Sequence, residues 1–353
     1  MSASGYCLQH DLDAVISRTA GSWENFRGVS IFVTGGTGLF GRWLLESLLY
    51  ANRQLDLRLK ITVLTRNEQA FRLKAPHLAL DAAVDFVVGD VRDFTFLAQH
   101  YDYLIHGATT SADETFRGEE ALQKFDTLVT GTRHVLEFAA QCGVKKMLFL
   151  SSGCVYGGVG EPVTETYAGA PNTTNPDTAL GQAKRAAEFL SACYAQKYGW
   201  ELVVARCFSF VGPLLPLDIH YAIGNFIGQA VRGESVVVKG DGTPIRSYLY
   251  MADLVVWLLT LLSHGRNGEI YNVGSDQSIS IRELANLVQG IICPDKPVIV
   301  MSEPAYSVGN EVRNVYVPNV TKARNELGLD VWTDLEAAVR LTAASVTGAA
   351  ACQ

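Results

Sequence analysis

The sequence predicts an α/β fold, a doubly wound parallel sheet with a smaller C-terminal α/β region, and three observations carry that expectation. Short apolar and β-branched runs recur at Ile31–Val33, Ile61–Leu64, Val84–Val88, Tyr103–Ile105 and Lys146–Leu150. Segments with helical spacing lie between them, notably Thr130 to Cys142. Such runs, too short and too continuously apolar to keep one wet face, belong in a parallel sheet covered on both sides. The third observation is the turn Thr34-Gly35-Gly36-Thr37-Gly38-Leu39-Phe40-Gly41, which leads from the first run into a helical stretch over Arg42–Leu49.

Each element follows in order. Residues 1–28 form an N-terminal extension in which Leu12, Val15, Ile16 and Trp23 read as one face of a short amphipathic helix, an extra layer on the domain. Residues 29–210 read as a dinucleotide-binding domain. In its glycine turn, Gly35 permits the strand-to-helix reversal, Gly38 lets the backbone approach a pyrophosphate, and Gly41 lets the helix pack closely. Free N–H groups and the positive dipole end at the helix start would hold the phosphates, as in a Rossmann-type fold. Gly35, Thr37, Gly38, Leu39, Phe40 and Gly41 are the expected cofactor contacts there.

After residue 210, Pro213, Pro216, Gly240-Asp241-Gly242 and Pro244 punctuate shorter elements. Residues 211–346 are expected to be mainly a substrate-binding region, with some segments returning to the main sheet and the active site in the cleft. Ser280-Ile281-Arg282-Glu283 has capping-box spacing and opens a helix through Leu287. Asn319 caps another helix, which stops at Gly328. The tail from Thr347 to Gln353 is expected to be disordered.

Bulk properties narrow the function. A net charge of −7 over 353 residues argues against a nucleic-acid surface, while a few local arginines suffice for a small anionic substrate. The seven cysteines are scattered and form no CxxC pair, which suits a reducing cytoplasm and neither a disulfide framework nor a metal site. The first 30 residues mix acidic, basic and polar types, unlike a signal peptide, and the longest apolar run, Leu254–Leu262, is too short for a bilayer.

Four further segments bear on chemistry. Gly89-Asp90-Val91-Arg92-Asp93 follows the third strand, where the carboxylate either accepts from an adenine amino group or simply ends the strand. Ile105-His106-Gly107-Ala108 follows the fourth; Ala108 allows close approach of a cofactor, and His106 reads as a buried structural histidine. Ser151-Ser152-Gly153-Cys154-Val155-Tyr156-Gly157 follows the fifth, and Pro176 to Lys184 opens a helix running through Glu188.

Taken with RCFSFVGP, GDGTPIRSYLY and YNVGS, these segments make residues 29 to 330 resemble the extended short-chain dehydrogenase/reductases of the NAD(P)-dependent nucleotide-sugar epimerase/dehydratase family. The resemblance implies that Ser152 hydrogen-bonds the reacting sugar oxygen and that Lys184 holds the nicotinamide ribose and lowers the pKa of a neighbouring acid/base group. The family tyrosine four residues before that lysine is Leu180 here, so the usual proton shuttle is absent. Lys184 itself stands as one replacement if a dry pocket lowers its pKa. Cys154 stands as another, since family dehydratases and decarboxylases carry an active acid there, although a buried inert thiol is the plainer reading. Tyr156 belongs to the family's VYG segment and reads as structural.

The resemblance also bears on ligands. Asp90, Val91 and Ala108 would line the cofactor. NAD-preferring relatives place Asp or Glu after the second strand, where this chain has Thr65-Arg66, so Arg66 pairing with a 2′-phosphate favours NADP over NAD. Arg246 matches an arginine that grips the substrate diphosphate, and Asn225-Phe226 contributes to the same pocket. Ser209 and Leu128 replace family asparagines. Gly153-Cys154 lacks the Asp-Glu pair of dTDP-glucose 4,6-dehydratases, which favours an epimerase or 4-ketoreductase over a dehydratase. The expected partners are a nucleoside-diphosphate sugar and a second copy of the chain, paired through helices near 113–141 and 177–197. The alternative is a catalytically impaired or silent NAD(P)- and sugar-nucleotide-binding protein, with Leu180 as its mark.

Overall fold

The computed structural model describes residues 8–110, 118–219, 221–301 and 315–348. The chain begins with helix α1 (Gln9–Arg18) and a 3-10 turn over Ala20–Phe26. Trp23 therefore lies on the turn and not on the helix that carries Leu12 and Val15. The break falls at Thr19, whose hydroxyl donates to the Val15 carbonyl (2.5 Å) and competes with helical continuation. The indole of Trp23 then folds back to donate to the Ile16 carbonyl (3.1 Å).

Strand and helix next alternate as expected: β1 (Ser30–Thr34), α2 (Leu39–Leu55), β2 (Lys60–Thr65), α3 (Glu68–Lys74), α4 (Pro76–Ala79), β3 (Val84–Val88), β4 (Tyr103–His106), α5 (Ala121–Cys142), β5 (Lys146–Ser152), α6 (Ala179–Tyr198) and β6 (Glu201–Cys207). The remainder comprises β7 (Phe210–Val211), α7 (Ala222–Val231), β8 (Val236–Val238), β9 (Ile245–Arg246), β10 (Leu249–Tyr250), α8 (Met251–His264), β11 (Ile270–Val273), β12 (Ile279–Ser280), α9 (Ile281–Ile292), β13 (Val298–Val300), β14 (Val315–Tyr316), α10 (Thr321–Leu327) and α11 (Leu335–Thr347).

Seven strands form one parallel sheet in the order β11-β6-β5-β4-β1-β2-β3. This is a Rossmann-like doubly wound sheet. The chain winds outward in one direction from β1 to β3 and in the other from β4 to β11, so the order reverses between β1 and β4. A ligand crevice opens at such a reversal, beyond the carboxyl ends of the strands. Strand β11 lies well past residue 210 yet pairs with β6, Ile270 against Val204. Helix α8 is buried on nearly every side because it packs between the sheet and α1. The apolar run Leu254–Leu262 is thus a core helix, and among the described residues no helix is long and apolar enough to cross a membrane.

Several boundaries differ from expectation. Helix α5 starts at Ala121, nine residues before Thr130, and residues 113–117 of the expected interface lie outside the described residues. Ser280 and Glu283 do form a reciprocal capping box, but α9 continues to Ile292 because Leu284, Ala285 and Val288 extend one buried face. Asn319 accepts from the Thr321 N–H (3.0 Å), while Val320 holds the N-cap position of α10. Gly328 ends that helix in the left-handed conformation. Thr347 closes α11, and only residues 349–353 of the expected tail lie outside the described residues.

Candidate functional site

The glycine turn sits at the strand-order reversal. Gly35 has φ of 75°, and a Cβ there would lie 2.6 Å from the Gly107 carbonyl carbon, so the turns after β1 and β4 touch through bare backbone. At Gly41 a Cβ would lie 2.4 Å from the Gly35 carbonyl oxygen, so α2 packs directly on its own turn. Gly38, the N-cap of α2, is exposed, and a Cβ there would make only an ordinary contact at 3.4 Å. Thr37, Leu39 and Phe40 are half-buried around it. A helix N-terminus with an exposed glycine cap beside a crevice fits a dinucleotide pyrophosphate.

The walls of this crevice are tied together by hydroxyls. Thr34 accepts from the Ala108 N–H (3.1 Å) and contacts His106 Nδ1 (2.7 Å), while His106 Nε2 meets the Thr132 hydroxyl (2.9 Å). Burial pushes His106 down to about 3, so the ring is a neutral brace between β4 and α5. Val91 packs against Gly131 of α5, where a Cβ would lie 2.6 Å from its methyl. Asp90 is held by Arg92, whose Nε and Nη2 donate at 2.7 and 3.1 Å. That hydrogen bonding lowers the Asp90 carboxyl, and Arg66 adds to the effect from the neighbouring strand end. Arg66, Asn67, Arg72 and Val88 border a surface pocket of about 360 Å³ beyond β2 and β3. Thr65 turns inward and is buried.

The residues expected to carry the chemistry lie at β5 and α6. Ser152 is the last residue of β5, paired with Cys207 of β6, and its hydroxyl accepts from the Cys154 N–H (3.2 Å). Lys184 is 4% exposed and donates to the Leu150 carbonyl (2.7 Å), with its ammonium 4.9 Å from the centre of the Phe149 ring. Burial pushes it down to about 8 from the usual 10.5. It is no surface lysine. Leu180, one helical turn earlier on the same face, is half-buried at the mouth.

A buried polar network fixes this edge. Arg206 grips Glu188 through two hydrogen bonds (3.0 and 2.7 Å), and Ser151 donates to the same carboxylate. The guanidinium lies 4.6 Å above the Tyr156 ring, whose hydroxyl donates to Asn272 (2.7 Å). Burial raises the Tyr156 phenol to about 12. Tyr156 is therefore a tie between the 3-10 turn after β5 and β11, as its place in the sequence suggested. Gly181 brings α6 against the Cys154 carbonyl, where a Cβ would stand at 2.6 Å.

The residues expected to meet the substrate come from elements after β6. Ser209 and Asn225 are half-buried, the former just after β6 and the latter on α7. Arg246 is half-buried on β9, and β14 pairs with β9 so that Tyr316 lies beside Arg246. The Tyr316 hydroxyl stands 3.4 Å from Ser152 Oγ and 3.9 Å from Cys154 Sγ, and its ring packs 4.8 Å from Phe208. Motif reading singled out Ser152, Cys154 and Arg246, and the structure brings all three to Tyr316. It missed Tyr316 itself. The only local signal was an aromatic in the short β-branched run before Pro318.

Comparison with known proteins gives a consistent picture. The model of the NAD dependent epimerase/dehydratase family matches residues 31–274. The chain is similar to UDP-glucuronic acid decarboxylase 6 of Arabidopsis thaliana, 29% identical over 299 residues that cover 84% of this chain and 83% of that protein. It is also similar to UDP-glucuronic acid decarboxylase 1 of Xenopus tropicalis, 26% identical, with 88% and 70% covered. In fold it is similar to the UDP-glucose 4-epimerase of Thermotoga maritima solved with UDP-glucose, with a TM-score of 0.73 and 24% identity, covering 90% of this chain and 98% of that one. The UDP-glucuronic acid 4-epimerase of Bacillus cereus, solved with UDP-glucuronic acid and NAD, gives a TM-score of 0.77 at 20% identity, with 90% and 99% covered.

Proposed function

The chain belongs to the NAD dependent epimerase/dehydratase family, and from that premise we propose that it modifies a nucleoside-diphosphate sugar by hydride transfer at a sugar carbon. The observation that carries the reading is Lys184: a buried lysine, pushed down to about 8, anchored to the strand whose last residue is Ser152. Burying a cation is costly, and an ordinary structural helix has no need of one there. Gly35, Thr37, Gly38, Leu39, Phe40 and Gly41 would hold the dinucleotide pyrophosphate, with Val91 and Ala108 along its length. When bound, the nicotinamide supplies the hydride acceptor or donor. Ser152 would orient the reacting sugar oxygen, and Lys184 would hold the nicotinamide ribose. Arg246, with Asn225 and Ser209 nearby, takes the diphosphate.

Gly153-Cys154 supports epimerisation or ketoreduction over 4,6-dehydration, because no Asp-Glu acid pair follows Ser152. Cys154 remains the candidate acid for a decarboxylation or elimination like those of the family. Arg66 at the rim of the pocket beyond β2 supports NADP. A charge-assisted contact to a 2′-phosphate contributes about 1.5–3 kcal/mol, roughly tenfold or more in affinity. Calorimetric titration should therefore show NADP binding more tightly than NAD, and Arg66→Ala should erase the difference; equal affinity in the wild type would rule the assignment out. Exposed Leu122 and Phe189, on the packed pair α5 and α6, support a homodimer through those helices.

The second reading, a silent cofactor- and sugar-nucleotide-binding protein, rests on Leu180. One experiment separates the two. The protein is incubated with UDP-, dTDP-, CDP- and GDP-sugars, and products and hydrogen-isotope exchange at the sugar carbons are followed by mass spectrometry and NMR. Exchange or conversion of any sugar is expected; complete inertness with retained cofactor binding would leave the silent reading.

A further inference from the structure

We propose that Tyr316 contacts the reacting sugar oxygen alongside Ser152 and carries its proton, supplying from β14 the phenol that α6 lacks at Leu180. The inference rests on the proposed hydride transfer and adds a residue to it. Two positions bracket the sugar: Arg246, where the diphosphate would end, and Ser152, where the carbon would react. Tyr316 spans them. Its strand neighbour is Arg246, and its hydroxyl lies 3.4 Å from Ser152 Oγ. The two hydroxyls, 3.4 Å apart, stand near enough for one sugar oxygen to meet both at the usual O–H···O distance of about 2.7–2.8 Å. Acid/base contacts commonly tighten only when substrate arrives.

The phenol is also held in place. Its ring packs 4.8 Å from Phe208, and Phe208 in turn lies against Gly153, where a Cβ would stand 2.8 Å from the ring. Strand β14 is secured beyond Tyr316 by Val163 N–H donating to the Val317 carbonyl (3.1 Å) and Asn319 N–H donating to the Val163 carbonyl (2.8 Å). The other tyrosine of this edge, Tyr156, is committed to Asn272 and faces the buried network.

In the reducing direction the carbonyl carbon gains a hydride from the nicotinamide, the C=O π pair moves to oxygen, and that oxygen takes the Tyr316 phenolic proton. The phenolate then recovers a proton from water. In the oxidising direction the phenolate would accept the sugar O–H proton, the O–H pair would form the C=O bond, and the hydride would pass from the carbon to the bound nicotinamide.

The test uses Tyr316→Phe in the full chain, read by binding and by single-turnover hydride transfer. Affinity for a nucleoside-diphosphate sugar should fall about 2- to 10-fold, the size of one hydrogen bond, while affinity for the bare nucleoside diphosphate and for the cofactor stays unchanged. Hydride transfer should fall about 10²–10⁴-fold, and Tyr316→Phe with Leu180→Tyr should recover part of it. Retained hydride transfer and unchanged sugar-nucleotide affinity in Tyr316→Phe would overturn the role of Tyr316 and leave the proposed function standing. An equal loss for bare diphosphate and sugar nucleotide would also overturn it, because the residue would then serve the diphosphate or the fold. If the wild type moves no hydride to or from any sugar, the proposed function fails and this inference falls with it.

Discussion

At the scale of single residues, Lys184 concentrates the electrostatic cost of the site. Burial holds its ammonium near 8, against 10.5 for an exposed lysine. Below both values the folded and unfolded chains each bind the proton. Between them, the unfolded chain keeps a proton that the folded chain has released. Stability therefore rises with pH from about 8 to 10.5, and the penalty for charging the buried amine is fully present below that window. At about 1.36 kcal/mol per unit the slope is worth at most about 3 kcal/mol. Denaturant melts of wild type and Lys184→Met at the two ends of the window check this. The mutant should lose the upward slope, and parallel curves would mean that the amine is solvated.

Among elements, the turn from β1 to α2 is the least tolerant of added atoms. Gly41→Ala would place a methyl 2.4 Å from the Gly35 carbonyl oxygen, against backbone that has no rotamer to yield. Overpacking of this kind costs about 1–3 kcal/mol. The variant should melt lower and bind cofactor more weakly, because the same shift would displace the N-terminus of α2, the proposed pyrophosphate site. Gly290 of α9 is the control, since nothing lies within 4 Å of its added Cβ. Gly290→Ala should stabilise the fold by about 0.5–1 kcal/mol, the helix-propensity difference alone. Calorimetric melting of both variants tests the contrast, and equal shifts would mean that the turn can relax.

Across the whole molecule, the two-way winding of the sheet brings the glycine turn and the end of β5 to the carboxyl ends of its strands, while α5 and α6 pack together on the flank. Leu122 is 77% exposed and Phe189 69% exposed on that flank, an apolar surface that a second copy of the same helices would cover. Phe189→Glu should convert the proposed dimer to a monomer in sedimentation velocity, with cofactor binding retained. A wild type that sediments as a monomer at high concentration would remove the dimer reading.

Local signals in the sequence marked the strands of the main sheet, its glycine turn and one helix start in the C-terminal region. Glycine spacing, short apolar strands and the capping box at Ser280 act over a few residues, so β1, α2 and the start of α9 were legible without any long-range contact. Ser152 and Lys184 were legible as positions in a familiar frame. That Lys184 is sunk against Leu150, and that Glu188 in the same frame is a brace for Arg206, depended on how α6 lies on β5 and β6. Tyr316 lies 164 residues from Ser152, and nothing in its neighbours along the chain announces a site. Only the pairing of β14 with β9 and the clasp of the Val163 loop bring it there. Chemistry assembled from segments so far apart is decided by packing, because the groups that meet share no local pattern to be read.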